Sequence, residues 1–328
     1  MLKLSVGYQF LEDESFYEIV KRTKEQIEEV YFAYPNFASG RSMLEDEITE
    51  PFKEEIEQIR NIGIKLDLLF NANCYGENAI SRSLSNQVIS TVKNVRPDVV
   101  TTTSPAIAYI VKKNFPEIKT RASVNMKIGS VKGMQYLEPI FDSFCIAKEC
   151  NRDLSLLKDI SHYAKENGKQ ITILANSGCM RNCSGQIFHD NMVAHEADIA
   201  KNDNIGFVPY TCWNYLRDSK NFVSVLQNTW IRPEDIDNYE PYADLIKIAT
   251  RMHSNPAMVI SAYAKRKFKG NLLDLFEPGY SPAFAPYIID SSLLPMDFWQ
   301  KTTECNKKCE NCNYCATVLE KSLISTDM

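Results

Sequence analysis

The chain ends in a dense group of cysteines. The segment ECNKKCENCNYCATV has the spacing C-x3-C-x2-C-x2-C, and its thiols are those of Cys305, Cys309, Cys312 and Cys315. Thiolates two or three residues apart can surround one iron-sulfur cubane, because each iron takes one sulfur donor and a tight loop brings the donors together. Four cysteine sulfurs also suit a tetrahedral zinc ion. The tail therefore predicts a metal centre, with a 4Fe-4S cluster favoured and zinc or four inert thiols as the alternatives.

A second group of cysteines lies in the interior of the chain and consists of Cys179, Cys183 and Cys212. In ILANSGCMRNCSG (173–185) a hydrophobic run breaks into a small polar loop, whose backbone amides could donate hydrogen bonds to cluster sulfides. His189, just after this loop, could donate to a cluster or ligate it. Without a secretory signal the compartment is expected to be reducing, so disulfides would not persist. We therefore expect the seven cysteines of the two groups to bind metal.

Radical S-adenosylmethionine enzymes share the C-x3-C-x2-C spacing of the first three tail cysteines. In those enzymes the motif follows an early barrel strand, whereas here it ends the chain beside a fourth cysteine. The spacing therefore does not favour that chemistry. The remaining cysteines, Cys74, Cys145 and Cys150, are scattered and predict no site.

Length and composition favour one main domain. The chain has 328 residues, of which 44% are hydrophobic, and this is enough for one large core. The formal net charge of -5 gives no general attraction to nucleic acid, so a contact with RNA would have to be local. No segment reaches the roughly 18 consecutive apolar residues of a membrane span. We expect a cytoplasmic protein without a membrane partner, whose substrate is a small molecule or, as the alternative, RNA.

Eight apolar runs alternate with charged stretches that have helical spacing. Strands that alternate with helices imply parallel βαβ units, and eight of them fit a (β/α)8 barrel of about 250 residues. We therefore predict an α/β fold with a barrel domain over 1–255 and a cysteine-rich C-terminal extension over 256–328. The predicted strands are 3–8, 29–34, 65–70, 98–103, 121–126, 143–147, 171–176 and 244–249.

Polar side chains fall at or just after the predicted strand ends, where (β/α)8 barrels carry their chemistry. Any one of them could instead cap the following helix or form a turn. Their common position at one end of the barrel is what predicts a small-molecule pocket. The set is Asn71, Asn73, Ser104, Asn125, Glu149, Asn176, Cys179 and Lys247.

Some of these residues suggest chemical roles near the interior cysteines. Glu149 could move a proton, and Asn176 or Asn125 could orient a substrate. Four cations could neutralise a carboxylate or phosphate of the substrate. They are Lys148, Lys247, Arg121 and Arg251. The alternative for each charged residue is a salt bridge inside the barrel, because parallel strands bury charges only in pairs.

The arrangement resembles peptidase family U32, the collagenase-like group, whose better understood members are iron-sulfur proteins of oxygen-independent hydroxylation in ubiquinone and RNA modification. SGC (177–179), CSG (183–185) and YTC (210–212) are similar to the family's cysteine pattern. IAKEC (146–150) and ADLIKIATR (243–251) resemble its strands that carry charged residues. The resemblance implies a barrel, an iron-sulfur cofactor and a redox enzyme.

The chain departs from the family pattern around the cysteines. Cys179 and Cys183 are closer than the first two family cysteines, and the segment 225–237 lacks the expected fourth one. Ala249 replaces a Glu of the family's strand. Two arrangements follow. Either three barrel thiolates hold a cluster with one open iron while the tail holds a second, closed cluster for electron transfer, or a tail cysteine supplies the missing ligand.

The expected function is therefore an anaerobic iron-sulfur enzyme of the hydroxylation or a related redox type, supplied with electrons by a partner. A non-catalytic iron-sulfur electron-transfer or accessory protein would explain the tail but not the polar strand ends. A collagenase-like peptidase is the third possibility, with Cys179 activated by the dipole of a following helix. The chain has neither an H-E-x-x-H motif nor a G-x-S-x-G motif, so no other peptidase signature supports it.

Overall fold

A computed structural model of the chain describes residues 1–34, 49–199, 205 and 210–326. Within them, eight parallel strands close into a barrel in the order in which they occur in the chain. This confirms the (β/α)8 prediction. The barrel strands are β1 Lys3–Gly7, β2 Ile27–Ala33, β3 Lys65–Phe70, β4 Val99–Thr102, β5 Lys119–Ala122, β6 Ser143–Cys145, β7 Gln170–Leu174 and β8 Leu245–Ile248.

Helices surround the barrel, and several begin at a capping side chain. Ser104 accepts a hydrogen bond from the Ile107 amide, and Pro105 occupies the first helical position after it. Ser104 is therefore a helix cap, which was the alternative to a place in the predicted small-molecule pocket. The helices are α1 Phe16–Arg22, α2 Thr49–Asn61, α3 Arg82–Val95, α4 Pro105–Asn114, α5 Val131–Gln135, α6 Leu154–Glu166, α7 Gln186–Val193, α8 Glu196–Ile199, α9 Thr211–Tyr215, α10 Val223–Leu226, α11 Pro256–Ala264, α12 Ser281–Phe284, α13 Phe298–Glu304 and α14 Tyr314–Ser322. None of the described helices is long and apolar enough to cross a membrane.

Each predicted strand overlaps an observed one, and the largest shift is at β5. The prediction was 121–126, whereas the strand is Lys119–Ala122. It ends early because Ser123 starts a 3₁₀ turn, Val124–Met126, and its side chain accepts a hydrogen bond from the Asn125 amide.

The barrel interior contains a buried ion cluster. The Arg121 guanidinium donates to Glu29 Oε2 at 3.0 Å and to Asp67 Oδ2 at 3.1 Å. All three side chains are almost completely buried. Arg121 therefore forms the internal salt bridge that was the alternative to substrate binding, and its guanidinium is already occupied by two carboxylates.

The segment after β8 covers the carboxyl end and one side of the barrel. Helix α11 contacts β1, where the eighth helix of a barrel lies. Further along, β9 (Tyr287–Ile289) and β10 (Leu323–Ser325) form a small antiparallel pair. Phe298 at the start of α13 stacks on Trp230, with ring centroids 5.5 Å apart. The extension thus packs against the barrel, while its division from a barrel domain at residue 255 stays a prediction.

Candidate active site and metal centre

A cavity of about 160 Å³ opens at the carboxyl ends of the barrel strands. Its walls come from several strand ends and from the loop after β7. Eight of the candidate residues from the sequence line it, namely Asn71, Asn125, Lys148, Glu149, Cys179, His189, Lys247 and Arg251. The structure therefore brings together a thiol, a carboxylate, three cations and other polar groups that lie up to 180 positions apart in the sequence, as the barrel geometry predicts.

Lys247 projects from β8 into this cavity and is 8% exposed. Its Nζ lies 3.5 Å from the centroid of the Tyr31 ring. Among the residues that the structure describes, no carboxylate or carbonyl forms an ion pair or hydrogen bond with this ammonium. Burial lowers the pKa of Lys247, while Asp67 acts in the opposite direction.

A second pair of charges enters the cavity from the 3₁₀ turn Lys148–Arg152, which follows β6. Lys148 Nζ donates to Glu149 Oε1 at 2.7 Å. Lys148 is 4% exposed, whereas the Glu149 side chain is 36% exposed and can reach a ligand. On the opposite wall, Lys127 Nζ lies 3.8 Å from Asp190 Oδ2. These two cations therefore already have carboxylate partners.

Asn176, predicted to orient the substrate, lies behind the cavity wall. It is completely buried, and its Nδ2 donates to the Ala249 and Leu275 carbonyls at 2.8 and 2.9 Å. Its Oδ1 accepts from the Ala249 amide at 2.7 Å. Asn176 joins the ends of β7 and β8 to the extension, and it does not line the cavity. Asn125 does line the cavity, and its Nδ2 donates to the Asn71 carbonyl at 3.1 Å.

The loop that carries Cys179 is held tightly against the extension. The Gly178 amide donates to the Glu277 carbonyl at 3.0 Å, and Asn228 Nδ2 donates to the Gly178 carbonyl at 3.0 Å. A Cβ on Gly178 would lie 2.1 Å from the Pro278 carbonyl oxygen, so only glycine fits. The loop turns at Asn182, whose φ is 56°. This docking fixes the position of Cys179 at the cavity wall.

A buried tyrosine faces the three interior cysteines. The Tyr280 hydroxyl is buried and has no oxygen or nitrogen partner in the described part of the chain, while the Cys212 thiol lies near enough to act on it. Burial raises its pKa, and Cys212, Cys179 and Cys183 raise it further. An O–H donor with no oxygen or nitrogen acceptor, next to three thiols, suits a site in which a sulfur carries negative charge.

The four tail cysteines meet around a second space. Cys305, Cys309, Cys312 and Cys315 line a pocket of about 370 Å³ that lies between α13 and α14. The connecting loop turns at Lys307, whose φ is 63° and whose Nζ donates to the Cys305 carbonyl at 3.0 Å. Burial raises the pKa of Cys315 to about 11, and the other three thiols also raise it. The four tail cysteines thus border one pocket, and metal binding there stays a prediction.

Arg152 lies beneath this site and is 6% exposed. Its guanidinium lies 4.9 Å from the ring centroid of Trp230 and 5.4 Å from that of Phe298. It donates to the Leu226 and Trp230 carbonyls at 2.8 and 3.2 Å. No carboxylate of the described residues pairs with it. Burial lowers the pKa of Arg152 to about 10.

Several groups near Arg152 raise its pKa and so oppose the effect of burial, and the tail thiols are among them. Cys315 and Cys305 both raise the pKa of Arg152. The nearby Asp235 also raises it, but that carboxylate is already bound by Arg232 at 2.6 Å. Tyr239 raises the pKa of Arg152 most among these groups, but its hydroxyl donates to the Asn151 carbonyl. The tail thiols are thus the groups near Arg152 that would become anionic on binding a metal.

The two cysteine groups border each other. A pocket of about 450 Å³ is lined by Cys183 and Cys212 of the interior group and by Cys309 of the tail. In the described residues, no three His, Cys, Asp or Glu side chains converge on a point that could hold a single metal ion. A four-iron cluster spreads its thiolate ligands over different irons, so its cysteines surround a volume rather than converge on a point. The four tail cysteines border one pocket in this way, whereas Cys179 of the interior group lines the cavity and Cys183 and Cys212 line the neighbouring pocket.

Comparison with known proteins relates the chain to one family. A model of peptidase family U32 matches residues 15–155. A protein of Methanocaldococcus jannaschii named "Uncharacterized protease MJ1657" is 27% identical over 319 residues, which are 93% of this chain and 92% of that protein. The structure described as "The Structure of the U32 Peptidase Mk0906" has a TM-score of 0.56 and 12% identity, and the match covers 76% of this chain and 93% of that chain. The chain is therefore similar to peptidase family U32 over residues 15–155 and shares its fold with a U32 peptidase.

The part of the chain that the family model matches contains Lys148 and Glu149 but none of the seven clustered cysteines. The likeness to Mk0906 shows the fold, and the roles of the cysteines depend on the geometry described above. Several residues near the sites were not predicted, among them Glu277, Tyr280 and Arg152. Glu277 and Tyr280 belong to a Pro-rich and aromatic stretch whose docking position no local pattern indicates. The segment CNRDL contains Arg152, but nothing in it shows that the side chain is buried.

Proposed function

We propose that this protein is an iron-sulfur-dependent enzyme of the U32 type that carries out an oxygen-independent hydroxylation or a related redox reaction. Its substrate would bind in the cavity at the carboxyl end of the barrel. The observation that carries the proposal is the buried Arg152, which has no carboxylate partner among the described residues and lines one pocket with Cys305, Cys309 and Cys315.

A buried guanidinium without an anion is costly, because its charge has left water without compensation. Four neutral thiols would not supply that compensation. Four thiolates around a metal centre would, since their negative charges exceed the positive charge of the metal. A single zinc ion with four sulfurs at about 2.3 Å or an iron-sulfur cluster would supply this charge, and the metal content described below distinguishes the two.

The interior cysteines would hold the catalytic cluster. Three thiolates, those of Cys179, Cys183 and Cys212, leave one iron without a protein ligand, and Cys179 lines the cavity. The Tyr280 hydroxyl would donate a hydrogen bond to one of the sulfurs. Such a cluster supplies Lewis-acid or electron-transfer chemistry at its open iron.

The cavity residues supply binding and proton transfer. Glu149 is the partly exposed carboxylate of the cavity and is positioned to accept or donate a proton. Lys247 and Arg251 provide positive charge for an anionic substrate. A cavity of about 160 Å³ admits a small molecule more readily than an RNA base with its backbone. Cys305 and Cys312 are exposed, so an electron-transfer partner could approach the tail.

The test is the content of iron and acid-labile sulfide in protein purified without oxygen. We expect about eight irons per chain, falling to about four when Cys305, Cys309, Cys312 and Cys315 are all changed to serine. Cys74→Ser is the matched control, because that half-buried thiol belongs to neither group. Zinc in place of iron, or no metal, would overturn the proposal. A spectrum that no candidate substrate perturbs would favour a non-catalytic electron carrier.

Peptidase activity is the second candidate, because the M. jannaschii relative is named a protease and because Cys179 and His189 line the same cavity. A thiol and an imidazole are the pair that nucleophilic cysteine catalysis uses. Hydrolysis of a denatured protein by metal-free enzyme, abolished by both Cys179→Ala and His189→Ala, would favour this candidate. Activity that survives Cys179→Ala would eliminate Cys179 as the nucleophile.

A further inference from the structure

The border between the two cysteine groups is lined by a cation from each of them. Arg181 lies in the interior cysteine loop, and Lys307 lies in the tail. Both line the pocket that Cys183 and Cys212 share with Cys309. Both also line a smaller cavity of about 30 Å³ beside three of the tail cysteines. The two cations therefore lie where the cysteine groups meet.

The two cations differ in the bonds that they form. Lys307 Nζ donates to the Thr302 and Cys305 carbonyls at 2.7 and 3.0 Å, so its charge caps the end of α13. Arg181 is half-buried, and its guanidinium forms no hydrogen bond or ion pair in the part of the chain that the structure describes. The charge of Arg181 therefore acts on the groups that line these two pockets.

Two carboxylates line the same pockets. Glu149 lines the smaller cavity, where it accepts a hydrogen bond from Lys148 at 2.7 Å. Glu310 lines the shared pocket, is exposed and forms no ion pair with Arg181. Because their charges have opposite signs, Arg181 and Glu310 should have opposite effects on a metal centre beside them.

The charge of Arg181 reaches the tail cysteines. Burial raises the pKa of the Cys309 thiol, and Arg181 acts in the opposite direction. A positive charge that favours the anionic form of a sulfur also favours the more negative state of a metal centre bound to that sulfur. Arg181 thus belongs to the interior loop in the sequence, but its charge acts on the tail.

Two negatively charged centres side by side repel each other, and each added electron increases the repulsion. The reduction potential of an iron-sulfur cluster depends on the charges around it and on its exposure to solvent. A cation at the border between two such clusters stabilises the reduced form of each. Arg181 is placed for this effect.

We propose that Arg181 is a positioning residue for electron transfer, which stabilises the reduced tail cluster from the neighbouring cysteine loop and so raises its reduction potential. The inference rests on the proposed function, because it requires a cluster at the tail. The step concerned is the uptake of one electron by that cluster from an external one-electron reductant. No bond is formed or broken in it.

The experiment is an anaerobic redox titration of the full chain with dithionite, followed by electron paramagnetic resonance. Cys183→Ser with Cys212→Ser is the background, because it leaves the tail cluster as the source of the signal. In this background, Arg181→Gln should make reduction about tenfold less favourable, which is about 59 mV for one electron. Arg181→Met removes the same charge but keeps an apolar side chain, so it replaces Arg181→Gln if that variant does not fold. Arg181→Lys should keep a potential close to that of the parent.

Lys308→Gln is the matched control. Lys308 is exposed next to Cys309 and lines the tail pocket but not the pocket at the border, so water screens its charge. Its loss should lower the potential less than the loss of Arg181. Glu310→Gln should raise the potential, because it removes a negative charge from the shared pocket.

The outcomes separate an electrostatic role from a structural one. An unchanged tail potential in the charge-free variants of Arg181, or a shift no larger than that of Lys308→Gln, would overturn the inference. A folded Arg181→Gln protein that loses its tail iron, while Arg181→Lys keeps it, would support the electrostatic role. Loss of the tail iron from Arg181→Lys as well would contradict it.

Iron and sulfide are measured on the wild-type protein and on every variant. Wild-type protein without iron would contradict the proposed function and this inference together. Wild-type protein with its full iron content, and a tail potential that does not depend on Arg181, would contradict this inference alone.

Discussion

Three buried cations have different partners in this protein, and the difference assigns their roles. Arg121 is bound by two carboxylates and contributes to the structure of the barrel. Lys247 contacts the Tyr31 ring and lies within the electrostatic reach of the buried carboxylates Asp67 and Glu29. Arg152 packs on aromatic rings, donates to backbone carbonyls and has no carboxylate bound to it in the described part of the chain. Since protein interiors rarely leave a charge unpaired, Arg152 indicates where an anion binds, and the metal-thiolate centre is the proposed anion.

The buried cluster also predicts how stability depends on pH. Burial raises the pKa of Asp67 to about 6, and Glu29 contributes to the increase although Arg121 opposes it. In the unfolded chain the ordinary value is 3.8. The folded protein therefore binds a proton at Asp67 more tightly, and this contribution to stability is complete below the unfolded pKa and lost as pH rises through about 6.

Asp67→Asn removes this proton-linked contribution. Between about pH 7.5 and about pH 4.5, the wild type should gain about 2 kcal/mol of unfolding free energy relative to the variant. Any pH-independent cost of the substitution is a constant offset and cancels in the comparison. Chemical denaturation of both proteins across this range measures the gain. A free-energy difference that stays constant with pH would show that Asp67 titrates normally.

The sequence predicted which side chains reach the cavity where this depends only on their position at a strand end. It could not do so where the side chain is bound by a segment far away in the sequence. Lys247, Glu149 and Cys179 reach the cavity because the ends of parallel barrel strands meet there. Asn176 also lies just after its strand, but its side-chain Nδ2 donates to the carbonyls of Ala249 and of Leu275 in the extension. The Leu275 bond spans 99 residues, so no local pattern could indicate it.

At the scale of elements, the eight strands were predictable because apolar β-branched runs and helical periodicity alternate along the chain. The conformation of the loop after β7 could not be predicted, because it depends on the close approach of Gly178 to the backbone at Pro278. The extension contributes the carbonyl of Glu277 and the Tyr280 ring to this loop. The cysteine loop is therefore formed jointly by the barrel and the extension.

Gly178→Ala tests this joint construction. The added Cβ would lie 2.1 Å from a backbone oxygen, so the loop or the Pro278 segment must move. We expect a destabilisation of about 1–3 kcal/mol and loss of the interior cluster, with the tail cluster retained. Iron content should fall by about half relative to the wild type.

Gly133→Ala is the control, because its new Cβ would meet only side-chain atoms, at 3.3 Å from Ser130 Oγ and 3.5 Å from Ile128. It should keep the full iron content. If Gly178→Ala also keeps it, the position of the Cys179 loop does not depend on its docking against the extension.

At the scale of the whole molecule, a turn of the barrel and the tail of the extension bring the two proposed metal sites close together. The turn Lys148–Arg152 places Glu149 in the cavity at one end and Arg152 beneath the tail cysteines at the other. Cys309 of the tail lines the same pocket as Cys183 and Cys212 of the interior group. Two clusters in these positions would be close neighbours, which suits electron transfer from an exposed tail to a cavity at the barrel mouth.

This proximity predicts a magnetic interaction between the two clusters. In fully reduced wild-type protein, the electron paramagnetic resonance spectrum should be broadened or split, because two paramagnetic clusters separated by one shared pocket influence each other. The variant in which all four tail cysteines are serine should give the simple spectrum of one cluster. The variant Cys183→Ser with Cys212→Ser should leave only the tail cluster, also with a simple spectrum.

If the wild-type spectrum equals the sum of the spectra of these two variants, the clusters are magnetically isolated. If the tail-free variant loses all iron, a tail cysteine supplies the fourth ligand of the interior site, and the chain holds a single cluster.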